Sequence, residues 1–205
     1  MNSFERSLRK YYTPEQFKKI RSAVIGIGGA GGLGSNVATT LARCGFINFE
    51  ILDFDKIDPS NLNRQQYNFK EIGKDKVKTL RSKLLKINPN IRVKTFNTKW
   101  SKENAKKYFK NCDIVTECFD KPEIKRDLVE YYQDKVKWIV SGNGLSNPFS
   151  NGSIKRKIVG NILVIGDNLT DITINRIPIT TNVIICSGII ADVILDLTLK
   201  GKYAA

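Results

Sequence analysis

The stretch from Val24 to Ser35, VIGIGGAGGLGS, constrains the fold more than any other part of the chain: six of its twelve residues are glycine, and they follow an apolar run. Glycine adopts left-handed backbone conformations at no steric cost and leaves no side chain between the backbone and whatever approaches it, so such a run marks a tight turn. It fits the pattern G-x-G-x-x-G in two overlapping registers, one using Gly26, Gly28 and Gly31, the other Gly29, Gly31 and Gly34. In either register a strand feeds a glycine turn and then a helix, whose free N-terminal N–H groups suit a phosphate.

The rest of the chain repeats that alternation. Thr13 and Pro14 read as N-cap and N1 of a short helix through about Ile20, ahead of a strand near Ala23–Gly28. After the glycine turn come a helix to about Cys44, a buried strand over Ile47–Asp53, and strands in IRVKTFN, CDIVTECF and KWIVSG, each separated from the last by a helical segment. The two basic segments KDKVKTLRSKLLKIN and SKENAKKYFKN are expected to be helices. This order predicts a right-handed, mainly parallel α/β sheet with helices on both faces, the Rossmann-like class. Beyond Gly142 two strand-like runs meet at Gly160 and Asn161, a hairpin signal, so antiparallel strands are added in the C-terminal third. A final helix is expected over about Val183–Leu199, after an aperiodic stretch, Asp167–Thr181, that is long enough to carry function. At 205 residues the expectation is one domain: an N-terminal helical segment (1–21), a nucleotide-binding part (22–141) and the appended strands, loop and helix (142–205).

Composition excludes more than it selects. With no histidine there is no Ser-His-Asp or Cys-His catalysis, which leaves reactions that need charge stabilisation more than proton transfer. Cys44, Cys112, Cys118 and Cys186 lack any C-x-x-C spacing, so no structural zinc is expected and the thiols read as buried structural groups. The opening MNSFERSLRK has no apolar core of a signal peptide, and the apolar run Val183–Leu199 is broken by Ser187 and Asp192; a soluble cytoplasmic chain with no membrane association is expected. The net charge of +14 is concentrated in residues 70–110, which carry 14 Lys/Arg against 3 Asp/Glu. That excess reads either as solvated helix faces or as a field that attracts an acidic protein or RNA.

The acidic residue that ends the second strand favours the second glycine register. A ribose-binding acid falls roughly 20 residues beyond the glycines, and Asp53 lies 24 after Gly29 but 27 after Gly26. The first register would also put Gly31, Gly32 and Gly34 into the opening helical turns, at up to ~1 kcal/mol each. Downstream, LDFDKIDPSNLNRQ places a D-x-D pair at the strand end and then a polar, cationic run, and IGKDKV follows. A dinucleotide site has no use for that run, whereas a triphosphate does.

In GAGGLGS, LDFD, SNLNRQ, IGKDKV and CDIVTECFD, in that order, the chain resembles the ThiF/MoeB/HesA family of ubiquitin-activating-enzyme-like adenylyltransferases, and its short length looks most like the ThiF type. The resemblance implies ATP with Mg2+ and adenylation of the C-terminal glycine of a ubiquitin-like sulfur carrier protein ending in Gly-Gly, the ThiS-like carrier of thiamine thiazole synthesis, in a homodimer. Carried over by position, Gly29, Gly31, Gly32 and Gly34 form the phosphate turn. Asp53 matches the ribose acid and Asp55 the second acid, which reads equally as a solvated loop carboxylate. Arg64 matches the arginine on the leaving phosphates, with Asn61 and Gln65 lining the site, and Lys76, one lysine among many, matches a phosphate-contacting lysine. Asp120 matches the magnesium-associated aspartate, although DKPE also reads as a helix start with Asp120 as N-cap and Glu123 closing a capping box. Arg6 corresponds to an arginine that reaches the partner subunit's ATP, with Arg9 as its competitor. Asp167–Thr181 is expected to cross over the carrier's tail; it contains no cysteine, so sulfur delivery is left to another protein.

Adenylation suits a chain without histidine, because the attacking carboxylate is already ionised at pH 7. Two other readings share the glycine turn. An NAD-binding oxidoreductase would use Asp53 equally well but leaves SNLNRQ unexplained. A tRNA-modifying relative of the threonylcarbamoyladenosine dehydratase type would use the basic helices for RNA, although nucleic acid is the less expected partner because the chain has no added basic tail.

Overall fold

The computed structural model describes residues 1–143, 154–166 and 180–203. Its seven-stranded sheet has the order β3-β2-β1-β4-β5-β7-β6, with β1 Val24–Gly28, β2 Asn48–Leu52, β3 Arg92–Phe96, β4 Ile114–Glu117, β5 Trp138–Asn143, β6 Lys155–Val159 and β7 Ile162–Gly166. All neighbours pair in parallel except β6 and β7, which form the expected hairpin, with Gly160 at φ +59° in its turn. Since β7 joins β5 in parallel, only the edge strand β6 runs against the sheet.

Two short helices precede β1. Asn2 and Glu5 close a capping box on α1, Ser3–Leu8, and Thr13 and Gln16 close another on α2, Pro14–Ser22, with Pro14 in the first turn. The remaining helices are α3, Gly32–Arg43, α4, Lys76–Ile87, α5, Pro122–Tyr132, and α6, Thr180–Lys200. The final helix therefore begins three residues earlier than expected. Of the Asp167–Thr181 stretch, residues 167–179 lie outside the described residues.

Alternation along each strand sends side chains to two apolar layers. On one face Ile25, Ile27, Phe49 and Ile51 pack with Leu41 of α3, Leu80 and Leu84 of α4, and Ile190 and Ile194 of α6. On the other, Leu52, Val115 and Ile139 pack with Trp100, Tyr108, Phe109 and, from α5, Leu128 and Tyr132. α6 is long and apolar enough to cross a bilayer by length and composition, and half of that stretch is buried here. It packs chiefly against α3 and β5.

The second basic helix is not formed. Residues 101–111 contain only a 3-10 turn, Ala105–Lys107, and Phe109 sits at φ +53°. Ala105, Tyr108 and Phe109 are spaced as on one helical face, yet the core takes them together with Trp100 from a non-helical path. Burying a side chain of that size contributes roughly 1.5–3 kcal/mol. The chain wraps around those anchors, with the Phe109 N–H donating to the Glu50 carboxylate at 2.9 Å.

Candidate active site

The glycines divide the work as the second register requires. Gly29 has φ +97°, and a Cβ there would lie 2.8 Å from the Cys118 carbonyl oxygen. Gly31 caps α3 with no side-chain hydrogen bond, and a Cβ on it would meet only the Gln65 amide, at 3.8 Å. On Gly34 a Cβ would fall 1.8 Å from the Gly29 carbonyl oxygen, so helix and turn touch through backbone. These are a tight turn, an open approach for a ligand, and close helix packing. Contrary to the expectation that the glycines stay in the turn, Gly32 and Gly34 lie inside the first turn of α3, where packing outweighs propensity. Gly26 and Gly28 are small because Phe109 and Cys112 crowd the first, and Leu128 and Phe119 the second.

Asp53, just past the end of β2, is buried and holds the turn: one carboxylate oxygen accepts from Ala30 N at 2.6 Å and the other from Asp55 N at 2.8 Å. Burial pushes its carboxyl upward, opposed by the Lys76 charge and the two backbone donors. Lys76 opens α4 with a buried side chain, and its Nζ donates to half-exposed Asp55 at 2.9 Å. The Tyr67 hydroxyl donates to the Ala30 carbonyl at 2.8 Å, fixing the following peptide, Ala30–Gly31, and burial raises the phenol well above its usual range.

SNLNRQ is folded over the start of α3. Asn61 acts as scaffold: its side chain accepts from Asp58 N at 3.1 Å, and its carbonyl accepts from the N–H groups of Arg64 and Gln65. Asn36 of α3 donates to the carbonyls of Gly32 and Arg64 at 2.6 and 2.8 Å, and Ser35 Oγ accepts from Gln66 N at 3.1 Å. This clamp lays the Arg64 stem over Gly32, with the guanidinium on Ser60 O and the Asn63 amide. Gln65 is buried beside Gly31, and its Oε1 finds no partner among the described residues. A buried acceptor without a partner costs free energy and points to a missing donor at this spot.

Asp120 lies at the carboxyl end of β4, three residues past Glu117, and is exposed. It does not cap α5, because Lys121 occupies the N-cap position and makes no side-chain cap bond there. Cys118 N donates to Gly28 O at 2.8 Å, so the approach to Asp120 runs along the glycine turn. The crevice thus opens between β1 and β4, where strand order reverses and open α/β sheets bind ligands. Arg6 is elsewhere. α1 is tied to the region just before β3 by Asn2 to Asn88 and by Glu5 to Asn88 and Asn90, at the amino ends of the strands, and the Arg6 guanidinium donates to Met1 O.

Cys112, Cys118 and Cys186 are buried and Cys44 partly so. Burial pushes the Cys118 thiol up to about 12, so it is a poor nucleophile at neutral pH. Among the described residues no three His, Cys, Asp or Glu side chains cluster as a metal cage. Sequence reading did not find Ser35, Asn36, Tyr67, Glu117 or Lys125. Glu117 had a signal: an acid in the apolar run IVTECF must be partnered once that strand is buried.

The chain can be set beside known proteins on this geometry. It is 34% identical over 128 residues to the adenylyltransferase and sulfurtransferase UBA4 of Eremothecium gossypii, covering 62% of this chain and 29% of that protein. To the molybdopterin-synthase adenylyltransferase of Haemophilus influenzae it is 35% identical over 112 residues, covering 54% and 46%. It therefore spans less than half the length of these curated relatives. Among solved structures, the tRNA N6-threonylcarbamoyladenosine dehydratase TcdA of E. coli, in complex with AMP, superposes with a TM-score of 0.82 at 20% identity, covering 96% of this chain and 92% of that one. The sequence pattern of the ThiF family matches residues 4–165, most of the chain, and to that family the chain belongs.

Proposed function

We propose that the chain is an ATP-dependent adenylyltransferase that activates the C-terminal glycine carboxylate of a ubiquitin-like sulfur carrier protein ending in Gly-Gly, of the ThiS type. One observation carries the reading: the open N-terminus of α3 is overlaid by the clamped Arg64–Gln65 run and flanked by the Lys76–Asp55 pair. Free N–H groups and two cations around one glycine turn suit a triphosphate.

The carrier carboxylate attacks the α-phosphorus and pyrophosphate leaves, so negative charge shifts onto the leaving oxygens. Arg64 and the α3 N-terminus are disposed to stabilise that charge, and Lys76 to meet the phosphates on exchanging its bond to Asp55. No general base is required. A single exposed carboxylate such as Asp120 fits Mg2+ that arrives on the nucleotide, since that ion takes few protein ligands beside phosphate oxygens. When bound it would neutralise phosphate charge.

A second reading, modification of a tRNA-borne carboxylate, draws on the exposed Lys70, Lys74, Arg81, Lys86 and Arg92 around α4 and β3. ATP–pyrophosphate exchange separates the two. Exchange stimulated by a purified Gly-Gly-ended carrier, and lowered on the order of 10²–10³-fold by Arg64→Ala, supports adenylation of a carrier. Exchange that needs tRNA supports the second reading, and tight NAD binding without exchange overturns both.

A further inference from the structure

A buried ion pair stands beside the crevice and has no part in the chemistry above. Glu117, the last residue of β4, is fully buried, and its carboxylate accepts from Phe119 N at 2.6 Å, Ser141 Oγ at 2.7 Å and Lys125 Nζ at 2.6 Å. Lys125, in the first turns of α5 and 19% exposed, donates also to Phe119 O at 3.1 Å and Gly142 O at 2.8 Å. An ammonium has three donors and no acceptor, so this cation is fully committed within the protein.

Stability alone does not account for such an arrangement, because a packed apolar pair is often as stable as a buried ion pair. What the pair fixes is more specific. The Phe119 carbonyl belongs to the same planar peptide as the Asp120 N–H. With Phe119 N held by Glu117 and Phe119 O held by Lys125, both peptide planes flanking residue 119 are set, and with them the direction in which the chain delivers Asp120. The same segment supports the glycine turn, for a Cβ on Gly29 would meet Cys118 O at 2.8 Å and Phe119 N at 3.2 Å. Gly142, the third acceptor, lies against Leu33 in the first turn of α3, where a Cβ would come within 2.3 Å of Leu33 Cδ1. One ammonium therefore ties β4, β5 and α5 to the two sides of the crevice.

We propose that Lys125 is a positioning residue of the nucleotide site: anchored on Glu117, it holds the 119–120 peptide and the end of β5 so that Asp120 and the Gly29 turn face the same ligand. This rests on the reading of the crevice as an ATP site.

Calorimetric titration of the full chain with ATP in the presence of Mg2+, for wild type, Lys125→Met, Asp120→Asn and the double variant, tests it as a double-mutant cycle. Lys125→Met is expected to weaken ATP binding by the folded protein on the order of tenfold, and to add less than about twofold once Asp120 is replaced. A cation that served folding alone would lower the unfolding midpoint but leave the ATP affinity of the folded fraction unchanged, or weaken it equally in both backgrounds; either result overturns the proposal. Should Lys125→Met not fold, Ser141→Ala removes one donor from Glu117 and enters the same cycle, with a smaller loss that again vanishes beside Asp120→Asn. Absence of coupling there overturns the proposal equally. Failure of the wild type to bind ATP is a distinct result that overturns the function reading and this proposal together.

Discussion

At the scale of single residues, the glycines offer the sharpest contrast, because neighbours in the same motif have opposite surroundings. Gly34→Ala sets a methyl 1.8 Å from a backbone oxygen that cannot rotate away. The expected result is destabilisation at or beyond the upper end of the roughly 1–3 kcal/mol range for overpacking, read from urea unfolding midpoints. Gly31→Ala meets only the Gln65 amide at 3.8 Å, so stability should fall by about 1 kcal/mol or less, as for the loss of a glycine N-cap. ATP affinity should nevertheless drop, because the methyl occupies the phosphate approach. Tyr67→Phe should cost about 1 kcal/mol, since the Ala30 carbonyl loses its hydroxyl donor inside the protein. The glycine register was legible in the sequence from Asp53 and its interval, whereas the role of Tyr67 was not, because nothing local says that its hydroxyl reaches Ala30, 37 residues away.

At the scale of elements, local signals located helices, although not the cap of α5, and segments governed by distant packing were misread. Thr13, Pro14 and Gln16 define the start of α2 within four residues, so that element needed no tertiary information. Residues 101–111 are rich in helix-forming lysines, yet the buried Phe109 at φ +53° stops any helix there. α1 depends on distant contacts too: Glu5 is paired with Arg21 and hydrogen-bonded by Asn88 and Asn90. Burial alone would raise the Glu5 pKa, but Arg21 and the two amides more than offset it and bring it to about 2, from an ordinary 4.5. A carboxyl whose folded pKa is depressed contributes stability that is complete above its unfolded pKa and lost as pH falls toward the folded one. Unfolding midpoints should therefore drop between about pH 4.5 and pH 2, and Glu5→Gln, less stable at neutral pH, should show a shallower decline across that window.

At the scale of the whole molecule, the position of Arg6 and the distribution of charge make predictions that no single site makes. Arg6 lies on α1, at the amino ends of the strands, far around the sheet from the crevice at their carboxyl ends. If it completes a second subunit's site, an equal mixture of Arg6→Ala and Arg64→Ala chains regains about a quarter of wild-type exchange, because half the dimers are mixed and each holds one intact site. No recovery, with dimers verified by sedimentation, would assign Arg6 to folding alone. The 14 basic residues between 70 and 110 should steer an acidic carrier, so its association rate should fall roughly tenfold or more between about 20 and 200 mM salt while dissociation changes little. The sequence by itself determined the alternating α/β order and the strand–turn–helix placement of the glycines, and it nominated the residues of the candidate site, because turn chemistry, periodicity and motif spacing are encoded within a few residues of one another. Only the tertiary structure decided that Asp53 and Tyr67 brace the turn from both sides, that Asn36 clamps the Arg64 run, and that Glu117 and Lys125 lock the approach to Asp120. Those pairs are separated in the chain and meet only when strands and helices have packed together, where burial makes an unpartnered polar group too costly to keep.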